Sequence, residues 1–286
     1  MSLYLNGVID SDKYQKYRIT YPKSLYEAIM AHHAGGRLLA VDVGCGTGIG
    51  TFPLLEYFDT VVGCDPSAKM LATAAQVREK LPGVSRRRVS FQQAAGEDIS
   101  RLFEERSVDM ITGGESIQYV KHDEFFRAAA RLLRPGATLA FWFYADPVFV
   151  DYPEANAIFK HCAYEDQRSF APLWPPEMEL VRRLGESIQV PSHEFEMVHS
   201  EVNVPLKTKG TRSFRVTREG CTLKDLRDLI STWSVYDAWK KNNKDCAEDV
   251  IDALIEKLKR GCGWDDNIKL RLEWETSFYV ARRRQT

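Results

Sequence analysis

Strong charge is the first thing this sequence lacks. Its 39 Lys and Arg stand against 40 Asp and Glu over 286 residues, for a net charge of -1. Nothing therefore draws the whole chain to nucleic acid or to an anionic membrane surface. The tail Arg282-Arg283-Arg284 is too short to alter that balance. Long apolar runs are also missing: none approaches the roughly 20 residues of a membrane-spanning helix. The stretch from Met1 to Asp12 has neither the basic flank nor the apolar centre of a secretory signal. The expectation is a cytoplasmic protein with no membrane and no nucleic-acid partner. Its six cysteines (Cys45, Cys64, Cys162, Cys221, Cys246 and Cys262) form no CxxC pair and read as reduced structural thiols. The six histidines fall at no ligand spacing, so no metal is expected. No repeat or low-complexity tract appears. What remains is an ordinary globular composition, 44% hydrophobic and 28% charged, long enough for one large domain with an insertion.

One stretch organises the chain: Leu38 to Val43, an apolar run that reads as a strand buried on both faces, followed by Gly44-Cys45-Gly46-Thr47-Gly48 and a helix-like segment from Thr51 to Tyr57. Glycines let backbone approach a ligand closely, and a helix start adds N–H donors at the same spot. Such a turn suits a nucleotide-like cofactor. The dinucleotide fingerprint needs glycine at the first, third and sixth positions, and counted from Gly44 the sixth is Ile49, which disfavours NAD. No lysine followed by Ser or Thr closes the loop, which excludes a phosphate-cradling P-loop. A second apolar strand, Thr60 to Asp65, ends in a carboxylate 21 residues beyond Gly44, the separation at which an acid can accept both hydroxyls of a ribose. Capping the next helix is the alternative role for Asp65, although Ser67 fits that role better.

Further strands are expected at Val89–Gln93, Ser107–Thr112, Ala137–Phe143, near Phe195–Pro205 and at Ile268–Ala281. Between them lie helices at Ser24–His33, from Pro66 onward, at Glu124–Leu133, at Thr222–Lys240 and at Cys246–Arg260. Strictly alternating strands and helices up to Phe143 require parallel pairing with right-handed crossovers.

The pattern Asp42-x-Gly44-x-Gly46-x-Gly48 resembles motif I of the class I S-adenosylmethionine (SAM) methyltransferases. The segment Tyr14-x-x-x-Arg18-x-x-Tyr21-Pro22 resembles the one lying over the SAM site in trans-aconitate methyltransferase-like enzymes, with Ile19 replacing a proline. Tyr144 to Pro153 and the series Trp233-Ser234-x-Tyr236-x-x-Trp239 resemble fungal members linked to cantharidin resistance. The resemblance implies an α/β, Rossmann-like, doubly wound seven-stranded sheet of order 3-2-1-4-5-7-6 with a helical lid insertion. It implies a single domain: a cap over the cofactor at 1–34, a SAM-binding core at 35–145, a lid and substrate-pocket region at 146–265, and the last strand at 266–286. SAM, leaving as S-adenosylhomocysteine (SAH), is the implied cofactor, with no metal. Its binding residues would be Tyr14, Arg18, Asp42, Gly44, Cys45, Gly46, Gly48, Asp65, Pro66, Met70, Gly96, Glu97, Asp98 and Gly114. In this family a series of acid, Ala and Glu commonly surrounds the adenine; here Ala95-Gly96-Glu97 stands in its place.

Relatives commonly carry His-Trp after the fourth strand, where this chain has Gln118-Tyr119. An imidazole base is thus missing from its usual place. The departure argues for an acidic acceptor or for a base elsewhere, among Glu115, His122 and His161. Gln118, Tyr119, His122 and Glu115 are the catalytic candidates, and Tyr21, Tyr144, Trp174, Trp233 and Tyr236 the candidates for the substrate pocket. The aromatic lid favours an apolar small-molecule acceptor, and the resemblance points to O-methylation of a hydroxyl or N-hydroxyl of a fungal secondary metabolite, such as an indole alkaloid. The alternatives are a carboxyl methyltransferase of the trans-aconitate type, or a SAM-fold protein catalysing a rearrangement without methyl transfer.

Overall fold

The computed structural model describes residues 16–244 and 246–285. The expectation for Tyr14 lies outside these residues. An eight-stranded mixed sheet forms the centre, in the order β3-β2-β1-β4-β5-β8-β6 with β7 paired to β8. Its strands are β1 (Leu39–Val43), β2 (Thr60–Asp65), β3 (Val89–Gln93), β4 (Val108–Gly114), β5 (Leu133–Phe149), β6 (Phe195–Asn203), β7 (Thr217–Cys221) and β8 (Leu270–Arg283). The first five run parallel, and β8 inserts antiparallel between β5 and β6. This is the expected order with one strand added. The short β7 pairs with Leu270–Glu273 of β8, below the stretch Thr276–Arg283 that pairs with β6.

The parallel strands are apolar throughout because both faces are covered. One core holds Ala40, Val61, Met110, Ala140 and Trp142 with the helices of the second half of the chain. The other holds Val41, Val62, Ile111, Leu139 and Phe141 under the helix His122–Leu132. Asp109, on β4 beside β1, accepts the backbone N–H groups of Leu38 and Leu39 and pairs with Arg134 at 2.6 Å, which pins the entry of β1. No helix among the described residues is long and apolar enough to cross a membrane.

Three elements differ from the sequence expectation. The segment after the glycine loop is a short 3-10 helix, Phe52–Glu56, with Pro53 in its first turn. The expected helix Thr222–Lys240 breaks into Leu223–Ile230 and Ser234–Asn242. At the break, the hydroxyls of Ser231 and Thr232 donate to the carbonyls of Asp228 and Leu229, and Trp233 takes extended backbone angles. Such back-bonding competes with helix continuation, an effect that apolar periodicity does not report. Finally, β5 does not stop at Phe143. It shifts register between Tyr144 and Pro147 and continues along β8 to Phe149, carrying Asp146 past the sheet's carboxyl edge.

Candidate active site

The carboxyl ends of β1, β2 and β4 meet where the strand order reverses, the place at which open α/β sheets bind ligands. Asp42 organises this end. Its carboxylate accepts the hydroxyls of Thr51 at 2.6 Å and Thr112 at 2.7 Å, tying the glycine loop to β4, and its burial raises the pKa to about 6. Gly44, Gly46 and Gly48 all have positive φ, each in a different setting. A Cβ on Gly44 would lie 2.3 Å from Cβ of Ser116, and one on Gly48 would lie 2.5 Å from the Phe52 ring. A Cβ on Gly46 would meet no atom of the described residues within 4 Å, so this residue leaves open space beside the loop.

Asp65 faces the loop from the end of β2. Its Oδ2 accepts the N–H of Gly46 at 2.9 Å and its Oδ1 the N–H of Ser67 at 2.8 Å, while burial pushes its pKa upward. Ser67 in turn caps the helix Ala68–Glu79 by accepting the Met70 N–H. The carboxylate therefore both shapes the loop and borders the space above it.

That space is a cavity of about 300 Å³. Of the residues expected at a cofactor site, Arg18, Asp42, Gly44, Cys45, Gly46, Asp65, Pro66, Met70, Gly96, Glu97 and Gly114 line it. Tyr21, Tyr144, Glu115 and Tyr119 line it as well. Gly48 does not; it serves the turn. Asp98 points outward to Arg101 at 3.1 Å, because the 3-10 helix Gly96–Arg101 turns it away from Glu97. Glu97 accepts the N–H of Lys121 at 2.7 Å.

Two catalytic candidates also stand apart. Gln118 is buried, and its side-chain N–H donates to the Glu115 carbonyl. His122 spends Nε2 on the Ile117 carbonyl at 3.0 Å and packs against Phe126. Neither lines the cavity. Both follow from the single 3-10 turn Ile117–Tyr119, which rotates the edge so that Tyr119, rather than Gln118, faces inward. His161 is exposed and paired with Glu165.

Glu115 is the acid that the structure brings to the centre. It adopts φ +53°, its Oε1 accepts the Tyr144 N–H at 2.5 Å, and burial pushes its pKa up to about 8 against the pull of that bond and of Arg18. Arg18 donates to the Tyr144 hydroxyl at 2.8 Å. With Tyr144 and Met178, Glu115 and Arg18 also line a second, narrower recess of about 40 Å³ walled by Trp174, Trp233, Trp274 and Tyr164. Tyr236 lies in neither space; it is buried and donates to Asp249 at 2.6 Å.

Sequence reasoning missed Thr47, whose hydroxyl is buried at the cavity wall with no partner among the described residues. It also missed Met178, Asp146 and Arg182. Thr47 sat inside the motif and could have been found there. Asp146 lies on β5 at its register shift, and Met178 and Arg182 come from the irregular insertion, where no period ties a residue to the pocket.

Comparison with known proteins agrees with this geometry. A family model described as a methyltransferase domain matches residues 41–141. A protein of Saccharomyces cerevisiae described as a probable S-adenosylmethionine-dependent methyltransferase is 34% identical, over 99% of this chain and 98% of its own length. A methyltransferase of Pestalotiopsis fici is 35% identical over 53% of this chain and 47% of its own. The solved structure of a candidate type II methyltransferase from Anaeromyxobacter dehalogenans superposes with a TM-score of 0.71 at 21% identity, covering 93% of this chain and 98% of that one.

Proposed function

The chain belongs to the SAM-dependent methyltransferases, and from that premise we propose that it transfers a methyl group to a hydroxyl or N-hydroxyl oxygen of a small, largely apolar natural product of the fungal secondary-metabolite type. The observation that carries this reading is the position of Glu115 and Tyr144, which line both the large cavity and the aromatic recess. Residues 146–265 would supply the lid on the acceptor side.

The residues present suit SAM. Gly46 puts no side chain into the open space beside the loop, Thr47 offers a hydroxyl unmatched among the described residues, and Asp65 offers a carboxylate at the end of β2. Asp65 would hold the ribose hydroxyls, Met70 would pack on the adenine, and Arg18 would hold the methionine carboxylate. When bound, SAM supplies a methyl group on a sulfonium whose leaving group is already activated.

The chain's own task is alignment and the exclusion of water. Tyr21, Tyr144 and Tyr119 close the walls, and Met178 accepts the Tyr119 hydroxyl at 3.5 Å. Glu115 would take the acceptor's proton. A carboxyl whose pKa is raised toward the working pH is suited to that work, because it can hold the proton it removes.

Asp65→Ala is expected to weaken SAM binding by about 1–3 kcal/mol through the lost charge-assisted hydrogen bonds. Unchanged affinity in calorimetry would remove Asp65 from the site. The reaction itself is tested with methyl-labelled SAM and fungal metabolite extracts. Label should enter the small-molecule fraction and survive mild alkali, as an ether does. Label released as methanol would mean a carboxyl ester, and label found in macromolecules would overturn the reading.

A further inference from the structure

The proposed methyl transfer leaves one acid in the pocket without a task. Asp146 sits at the register shift of β5 and lines the aromatic recess, away from Glu115's work on the reacting oxygen. Its Oδ1 accepts the Tyr164 hydroxyl at 2.5 Å. Among the described residues no cation pairs with it: Arg182 lies over the Tyr164 ring at 4.5 Å and is tied to Glu179 at 2.9 Å. Lys160, Arg182 and Glu275 act on Asp146 only through longer-range charge, and burial still pushes its pKa up to about 6. A carboxylate in this position is desolvated with one hydroxyl as donor and no paired cation among the described residues.

The remaining walls are aromatic. Trp174 and Trp233 have ring centres 5.5 Å apart, and Trp174 is fixed by donating its indole N–H to the Ala163 carbonyl at 2.7 Å. Aromatic rings beside a carboxylate favour a cation over an anion or a neutral group. Size narrows the choice further. A space of 40 Å³ takes about three water-sized groups, enough for a short aminoalkyl arm and too small for a ring system.

We infer that Asp146, among Trp174, Trp233 and Trp274, binds a protonated amine on the methyl acceptor, so that the substrate class is a small molecule carrying both the methylated oxygen and a basic nitrogen on a short arm. This rests on reading the recess as the acceptor side of the cavity. An anionic arm is disfavoured, since it would meet the carboxyl groups of Asp146 and Glu115; of the two recess guanidiniums, Arg18 is assigned to the methionine carboxylate and Arg182 is tied to Glu179, with only its buried Nε left without a partner among the described residues.

The test uses phenethylamine, 2-phenylethanol and 3-phenylpropionate, three probes of similar shape with a cationic, neutral and anionic arm. Each is titrated calorimetrically into the full chain at pH 7.5 with saturating SAH. The amine should bind more tightly than the alcohol by about tenfold or more, the worth of one charge-assisted contact. The acid should bind most weakly. Asp146→Asn should close the gap between amine and alcohol to about two- to threefold and leave SAH affinity unchanged. Tyr164→Phe, which keeps the carboxylate, should retain the preference. Equal binding, a preference for the acid, no binding of the amine, or a gap that survives Asp146→Asn would each overturn the assignment. SAH is titrated separately. Failure of SAH to bind while the amine preference persists counts against the cofactor reading alone, and SAH binding without the preference counts against Asp146 alone.

Discussion

Gly44→Ala is expected to remove measurable SAM binding and to destabilise the fold by roughly 2–5 kcal/mol, combining a left-handed backbone penalty with overpacking. The two causes are separable. Gly44 has φ +65°, and the new Cβ would stand 2.3 Å from Cβ of Ser116. Ser116 cannot easily yield, because its hydroxyl donates to the Val43 carbonyl at 2.7 Å and so latches the end of β4 to β1. Relief of the collision must move the glycine loop or break that latch, and either change displaces the N–H of Gly46 from Asp65. Gly46→Ala is the control. Its φ is also positive, at +54°, but its Cβ would meet no atom of the described residues within 4 Å. That variant should lose only the left-handed backbone penalty of about 1–2 kcal/mol, while its methyl group occupies space beside the loop and weakens SAM binding. Urea unfolding and calorimetry on both variants check the contrast. Equal stability losses would show that Ser116 does not set the geometry of the loop.

Glu115→Gln should lower turnover on a hydroxyl acceptor by about 10²–10⁴-fold, the range for a positioned acid or base, with little change in SAM affinity. The isosteric amide keeps an oxygen for the Tyr144 N–H and removes only the proton acceptor. The pH dependence follows from the raised pKa. Glu115 must be ionised to act as a base, so kcat/KM should rise with pH and level off above about 8. Stability runs the other way. In the unfolded chain this carboxyl ionises near 4.5, whereas in the fold its pKa lies at about 8, so the folded state binds the proton more tightly. The favourable contribution is fully present below the unfolded value and is lost as pH rises toward 8. Glu115→Gln removes that dependence, so the inactive variant should hold its stability across the interval in which the native protein loses some. A variant that kept full turnover with a flat pH profile would take Glu115 out of the reaction.

The parts of this molecule governed by local pattern were legible in the sequence. Leu39–Val43 and Thr60–Asp65 are apolar because helices cover both faces, and the glycines between them are fixed by backbone angles that other residues avoid. Strand order and the crowding of Asp42, Gly44, Gly46 and Asp65 at one edge follow from those two facts. What escaped depended on a single turn or on chain far away. The 3-10 turn Ile117–Tyr119 exchanges Tyr119 for Gln118 at the cavity and leaves His122 bound to a backbone carbonyl. Periodicity cannot assign that rotation. Tyr236 belongs to an aromatic series that looks uniform, yet the break at Ser231–Trp233 leaves Trp233 in the recess wall and turns Tyr236 to Asp249. Met178, Asp146 and Arg182 reach the recess only through the register shift in β5 and the folding of the insertion, which nothing short-range encodes.

The central claim is that the cavity above the glycine loop holds SAM with its reacting end toward Glu115 and the aromatic recess. A crystal structure with SAH tests it most directly. The account predicts ribose hydroxyls on Asp65, adenine beside Met70, and the homocysteine sulfur facing the wall formed by Glu115, Tyr119 and Tyr144. A sulfur turned away from that wall, or SAH bound without contact to Asp65, would contradict it.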